Sequence, residues 1–281
     1  MPTPTNNQNE QQAQEQPLDM RLQRMLIIGL GGTGGNILLE SRKLLVDKFG
    51  SIAACPWVEY LCIDTDDANQ KNPGASTSQK KFDDPLIGFT DDEYCHIGLP
   101  TRGWNALYAN IKNGNQKEIR KWFDIDNHIN IDPGSGAGGF RQLGRLAFWN
   151  KYSEIERRIK EKITRIQRLA NADISIQLGS ENISVANKLK IFVVYGMAGG
   201  TGCGTFLDAA YLARAIGETH YGNDDCKIIG LGLMPSVFMD TNDKTVNVAA
   251  GYAALKELNY YTYSYAKGRP LADIYGEPRW A

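Results

Sequence analysis

Three glycine-dense runs and one pair of carboxylates are the residues in this chain with chemistry to offer. The densest run, Gly199-Gly200-Thr201-Gly202-Cys203-Gly204, follows an apolar stretch at 191–195 and precedes a helical pattern at 206–215. A strand, a glycine turn and a helix start together bind phosphate. Small residues let the backbone approach, several N–H groups share one concavity, and the helix dipole adds partial positive charge. No Lys precedes Thr201, so the run is not a Walker loop, and anion binding rests on backbone amides, with or without a metal. A second run, Gly29-Leu30-Gly31-Gly32-Thr33-Gly34-Gly35-Asn36, follows apolar residues 25–28, and a third spans Gly134-Ser135-Gly136-Ala137-Gly138-Gly139. The carboxylates, Asp64 and Asp66, close an apolar run at 58–63. At the carboxyl end of a strand they suit a magnesium ion held through water beside phosphates.

These residues need strands ending in one row and helices starting there. Apolar runs at 25–28, 58–63, 191–195 and 227–233 read as strands, and helical patterns follow the first and third. The alternation predicts an α/β fold with a doubly wound, mostly parallel sheet and helical inserts. Two chemistries fit that frame. Gly29, Gly31 and Gly34 satisfy the dinucleotide fingerprint, with Asp64 placed to bind a ribose hydroxyl, which is the pattern of an NAD(P)- or FAD-binding oxidoreductase module. Three phosphate-type loops in one chain point instead to a nucleoside polyphosphate. A tight turn without ligand explains any single glycine run, and an acidic surface turn explains either carboxylate.

The run 198–204 resembles the signature of the tubulin/FtsZ GTPase family, Gly-Gly-Gly-Thr-Gly-Ser-Gly, with Cys203 where a small hydroxyl or methyl residue is usual. The first run is similar to the first nucleotide loop of FtsZ, a glycine string ending in Asn. The third, continued by Phe140-Arg141-Gln142-Leu143-Gly144-Arg145, follows the FtsZ loop that senses the terminal phosphate. The resemblance covers about 25–258 and looks closest to divergent bacterial tubulin-like proteins. It implies that Gly31, Gly32, Thr33, Gly34, Gly35, Gly136, Ala137, Gly138, Gly199, Gly200, Thr201, Gly202, Cys203 and Gly204 bind the nucleotide. It also implies that Asn36 reaches the sugar or base, that Gln142 and Arg145 flank the ribose, and that Asp64 and Asp66 hold Mg2+. Gln142 replaces an acidic residue, which weakens one ribose contact, and Arg145 is otherwise a solvated helix charge. Asn247 sits where tubulin places a guanine-contacting Asn, although an Asn near a helix start is commonly a cap. Phe238 and Tyr252 are candidates to stack on the base or to pack in the core.

The cofactors implied are GTP or GDP with Mg2+, and the partners are the guanine nucleotide and, in a full-length protein, further copies assembling head to tail. The hydrolytic carboxylates of the family lie in a later loop, so this chain is expected to bind GTP and turn it over poorly, lacking the second, activating domain. A scaffold that holds nucleotide without hydrolysing it is the third reading.

The 281 residues, 42% hydrophobic, suffice for one large core, and 31 basic against 32 acidic residues give no reason to expect nucleic acid or membrane. Five cysteines without a CxxC pair suit reduced thiols in a cytoplasmic protein. His96, His128 and His220 lack metal-ligand spacing and read as structural or surface residues. Residues 1–19, polar and short of anything to bury, are expected to be a disordered tail, with the nucleotide-binding domain over 20–281 and an insert at about 71–132. A charged helix is expected at 152–171, with Ile155, Ile159, Ile163, Ile166 and Leu169 inward and its basic residues, Lys162 among them, in solvent. Residues 172–190 read as an excursion before the signature strand.

Overall fold

Period-two alternation sorts the first strand between two faces. In β1 (Leu22–Leu30), Leu26, Ile28 and Leu30 lie fully buried on one side, while Met25 and Ile27 turn to the other. The structure, a computed structural model, describes residues 22–66, 86–99, 101–114, 117–120, 122–126, 136–168, 175–178, 181–238 and 244–268. The expected tail at 1–19, Gly134 and Ser135, His128 and Leu169 lie outside the described residues.

Five strands run parallel in the order β3 (Tyr94–His96), β2 (Val58–Asp64), β1, β5 (Glu181–Gly196) and β6 (Cys226–Leu233). A short β4 (Ser175–Leu178) pairs antiparallel with the start of β5. The register brings the carboxyl ends into one row: Leu30 pairs with Ile63 and Tyr195, Gly196 with Leu233, and Asp64 with His96. The chain leaves β1 toward β2 on one side and returns to β5 on the other, so the crevice where parallel α/β sheets take ligands opens above β1 and β5.

Helices cover both faces. Helix α1 (Gly31–Phe49) packs through Leu38 over Tyr60, Cys62 and Val194. On the opposite face lie α4 (Arg141–Asn150), α5 (Tyr152–Arg168) and α6 (Gly200–Tyr221), with Leu143, Ile159 and Leu212 in the cluster under Leu26, Ile28 and Val193. Each such aliphatic side chain taken fully from water contributes roughly 1.5–3 kcal/mol. The doubly wound sheet is as the alternation predicts. Helices α4 and α6 meet backbone to backbone: a Cβ on Gly144 would strike the Gly200 carbonyl.

Several local expectations change. The glycine runs at 31–35 and 200–204 form the first turns of α1 and α6, because Gly costs little where the N–H groups have no intrahelical partner. The inward face of α1 is carried by Leu38, Leu39 and Arg42. Arg42 donates to the carbonyls of Ile87 and Gly88 and to Glu93, which pins residues 87–93 onto the helix. The four isoleucines of α5 face inward as expected, but so does Lys162, 2% exposed and held 3.1 Å from Glu59 and 2.8 Å from Asp92. Residues 181–190 belong to β5, whose half-exposed start carries no continuous apolar run to announce it. Strand β6 has Leu231 46% exposed, and Pro235 follows it in a 3-10 turn (Pro235–Phe238).

Described residues of the expected insert pack on the rest of the domain. They form α2 (Thr101–Lys112) and the short α3 (Lys117–Arg120), and Trp104, Ile111, Ile119 and Phe123 join the main core. Helix α7 (Lys244–Ala266) follows β6, with Tyr252 64% exposed. Among the described residues no helix is long and apolar enough to cross a membrane.

Candidate functional site

The row of strand ends dictates which residues converge. The first turn of α1 begins where β1 stops, the first turn of α6 begins just beyond β5, and β2 delivers Asp64, Thr65 and Asp66 between them and the Gly136–Phe140 turn. The result is one cavity of about 230 Å3, lined by Gly31, Gly32, Thr33, Asp64, Thr65, Asp66, Ala137, Gly138, Gly199, Gly200, Thr201 and Gly202, with Leu30, Gly139 and Gly196. All three glycine runs and both carboxylates meet there.

Two glycines show why no other residue serves. Gly31 has φ +68° and sits against the backbone of Gly202, so a side chain would be strained and crowded. Gly34 approaches β5 so closely that a Cβ would lie 2.6 Å from the Val194 carbonyl. Gly32 differs: a Cβ there would meet only Asp64 Oδ2, 4.0 Å away, so its lack of a side chain leaves the cavity open.

Two uncapped helix starts and two carboxylates face the one cavity. Neither α1 nor α6 has a side-chain cap or an acidic residue in its first turn, so the orphan N–H groups and dipoles of both helices remain to be met. Asp64 is 6% exposed. Burial, then the charge of Asp66, pushes its pKa up to about 7 against the N–H groups of Asp66 and Thr65 and the Thr201 hydroxyl, which pull it down. Burial also raises Asp66, with His96 opposing. Two carboxylates that resist ionising together suit a divalent cation, with water and phosphate oxygens completing its shell. Among the described residues no group of three or more acidic, His or Cys side chains forms a cage by itself.

Thr65, which the sequence reading passed over between its two carboxylates, is central. Its hydroxyl lies 2.6 Å from that of Thr201 and accepts the Ala137 N–H at 3.0 Å, joining β2, α6 and the third turn. His96, read as structural or surface, donates from Nε2 to the Thr65 carbonyl at 3.0 Å, and Tyr94 Oη donates to the Asp66 carbonyl at 2.8 Å. Only the strand register, Asp64 beside His96, brings these residues to the site.

Other expected residues lie further off. Gly136 sits behind the lining against Asp66, and Gly35 is buried in α1. The Asn36 Oδ1 is enclosed and has no hydrogen-bond partner among the described residues. Cys203 turns away from the cavity; its fully buried thiol donates to the Ala250 carbonyl at 3.4 Å. Gly204 faces the backbone of Arg141. Gln142 and Arg145 line a second, smaller cavity of about 130 Å3, in which Arg145 pairs with Asp208. Asn247 stands in the first turn of α7, its side chain outside the described residues, as is that of Phe238.

A model of the family described as tubulin-like matches residues 26–276. The chain belongs to the tubulin-like family. That span takes in the three glycine turns, both carboxylates and α7. Solved structures similar to this tubulin-like chain include CetZ from Methanosaeta thermophila, at 15% identity and TM-score 0.42, covering 84% of this chain and 42% of that one. The GDP-bound CetZ1 monomer from Haloferax volcanii is 16% identical, with TM-score 0.43 and coverage of 82% and 47%. A mutant FtsZ from M. jannaschii is 15% identical, with TM-score 0.42 and coverage of 91% and 52%. The chain thus spans about half the length of the solved structures it matches. No curated protein matches it.

Proposed function

We propose that this chain is the nucleotide-binding part of a tubulin-like GTPase, taking GTP or GDP with Mg2+ into the glycine-lined cavity. The observation that carries the reading is the meeting of three glycine turns and two carboxylates in that one space. The uncapped starts of α1 and α6 receive the phosphates, with the turn at Ala137 and Gly138 closing over the terminal one. Asp64 and Asp66 hold the metal through water. The enclosed Asn36 Oδ1 suits a ribose hydroxyl or base N–H as donor, and Asn247 is assigned to the guanine. Membership of the tubulin-like family supports guanine over other bases. Hydrolysis and head-to-tail self-association in the cytoplasm are proposed for the full-length protein.

An oxidoreductase would need a dinucleotide ribose above the end of β2. The third glycine turn lies in that place, with Ala137 N–H on Thr65 and Gly136 against Asp66, which favours the polyphosphate reading. Calorimetric titration of the purified chain with GTP, ATP and NAD in magnesium tests it. Micromolar GTP binding, weaker ATP and NAD, and at least about a tenfold loss in a normally melting Gly32→Ala variant are expected. Tight NAD binding without a GTP response would sink the reading.

A further inference from the structure

Strand β2 stops at Asp64, but the hold of its neighbour β3 continues past that point. The Ile97 N–H donates to the Asp64 carbonyl at 2.8 Å, His96 Nε2 to the Thr65 carbonyl at 3.0 Å, and Tyr94 Oη to the Asp66 carbonyl at 2.8 Å. Donors from residues 94–97 thus meet the carbonyls of all three residues that β2 delivers to the cavity. The approach is close: a Cβ on Gly98 would strike the Thr65 carbonyl.

The chain that supplies these donors is anchored from both faces of the sheet. On one face, Arg42 of α1 holds Ile87, Gly88 and Glu93. On the other, Arg158 of α5 donates to the carbonyls of Asp91 at 2.7 Å and Tyr94 at 3.1 Å, and Lys162 meets Asp92 at 2.8 Å. The Tyr94 ring lies 6.3 Å from that of Phe89, centre to centre. β3 is therefore held by contacts that involve no ligand.

A peptide unit is planar, so the orientations of the two units flanking a residue set its backbone angles and the direction of its side chain. The Thr65 and Asp66 carbonyls belong to the two units that flank Asp66. We propose that Tyr94 and His96 are positioning residues for the divalent cation of the glycine-lined cavity, aiming Asp66 by fixing both units. A carboxylate on a loose strand end loses conformational freedom each time it takes a cation, and one already aimed loses less. Asp66 lines the same space as Asp64 and the glycine turns, so the aim is into the cavity. The inference rests on the nucleotide reading above, Mg2+ included.

The test is calorimetric titration of the full chain with GTP, once in Mg2+ and once in EDTA, for wild type, Tyr94→Phe, His96→Ala and His96→Gln. Tyr94→Phe and His96→Ala should each cut the gain in affinity that Mg2+ brings by roughly tenfold, the scale on which residues that orient metal ligands act. Affinity in EDTA, carried by backbone amides, should change less than about twofold. His96→Gln places an amide N–H where Nε2 stood and should recover most of the loss. If His96→Ala does not fold, Tyr94→Phe, which removes a single oxygen, carries the test. An unchanged gain from Mg2+, or equal losses in Mg2+ and EDTA, overturns the inference and leaves the nucleotide reading standing. A wild type that binds GTP equally in both media removes the cation and the inference with it, and one that binds no GTP removes the nucleotide reading as well.

Discussion

The hydroxyls of Thr65 and Thr201, 136 residues apart in sequence, lie 2.6 Å from each other beneath the glycine-lined cavity. Thr65 is 4% exposed and also accepts the Ala137 N–H, so one side chain ties the third turn to the start of α6. Thr65→Val keeps the shape and strands the buried Ala137 N–H, which costs about 1–3 kcal/mol. We expect a lower melting temperature and weaker nucleotide binding, with Thr65→Ser recovering both. Equal behaviour of Val and Ser would show that the hydroxyl does not hold the turn.

Gly32 and Gly34 are neighbours with opposite expected phenotypes. A methyl on Gly34 collides with the Val194 carbonyl, whereas one on Gly32 projects into open space. Gly34→Ala should lower the thermal midpoint by several degrees, an overpacking penalty of about 1–3 kcal/mol. Gly32→Ala should melt normally and lose nucleotide. Paired melting curves and titrations separate the two, and a destabilised Gly32→Ala would contradict the open geometry.

Asp64 sets a pH dependence whose sign follows from its environment. Its folded pKa, about 7, lies above the ordinary carboxylate value, so the fold prefers the neutral acid. The resulting penalty is absent below about pH 4, grows between 4 and 7, and is complete above 7. Without nucleotide, Asp64→Asn should therefore stabilise the protein at pH 8, on the order of a few kcal/mol at most, with the gain fading by pH 4. The proposed Mg2+ site needs the ionised acid, so on that reading Mg2+ binding should weaken as pH falls through 7. Denaturation curves at pH 4, 6 and 8 check the first claim; a pH-independent difference would refute it.

Lys162 joins α5 to the sheet through Glu59 and Asp92. Lys162→Met leaves Glu59, 13% exposed, without its closer cation, though Arg165 remains 3.4 Å away. A loss of about 2 kcal/mol is expected, less than for a fully buried pair because Asp92 is half exposed. Urea denaturation of Lys162→Met beside Lys160→Met, whose partner Glu156 lies on the surface of the same helix, tests the asymmetry. Equal losses would mean that burial of the ammonium is irrelevant.

What the sequence disclosed follows from the range of each interaction. Apolar runs and glycine strings are local signals, so β1, β2, the cores of β5 and β6, and the convergence at the cavity were legible. Side-chain direction is not local. Cys203 belongs to the signature, yet its thiol reaches the Ala250 carbonyl, because α7 packs on that side of α6. Lys162 and Arg42 look like solvent-facing cations until the carboxylates and carbonyls that meet them arrive from segments 45 to 103 residues away. His96 and Thr65 come together through strand register.

The contact of Gly144 with the Gly200 carbonyl leaves no side chain between α4 and α6 at the cavity's edge. Side chains at a helix crossing normally absorb small displacements by changing rotamer, as a cushion does. Two bare backbones in contact transmit them like meshed gears. A shift at the first turn of α6 therefore reaches α4, and the glycine turn that leads into it, undiminished. The same gearing closes this position to every residue larger than glycine, however freely the outer surface drifts.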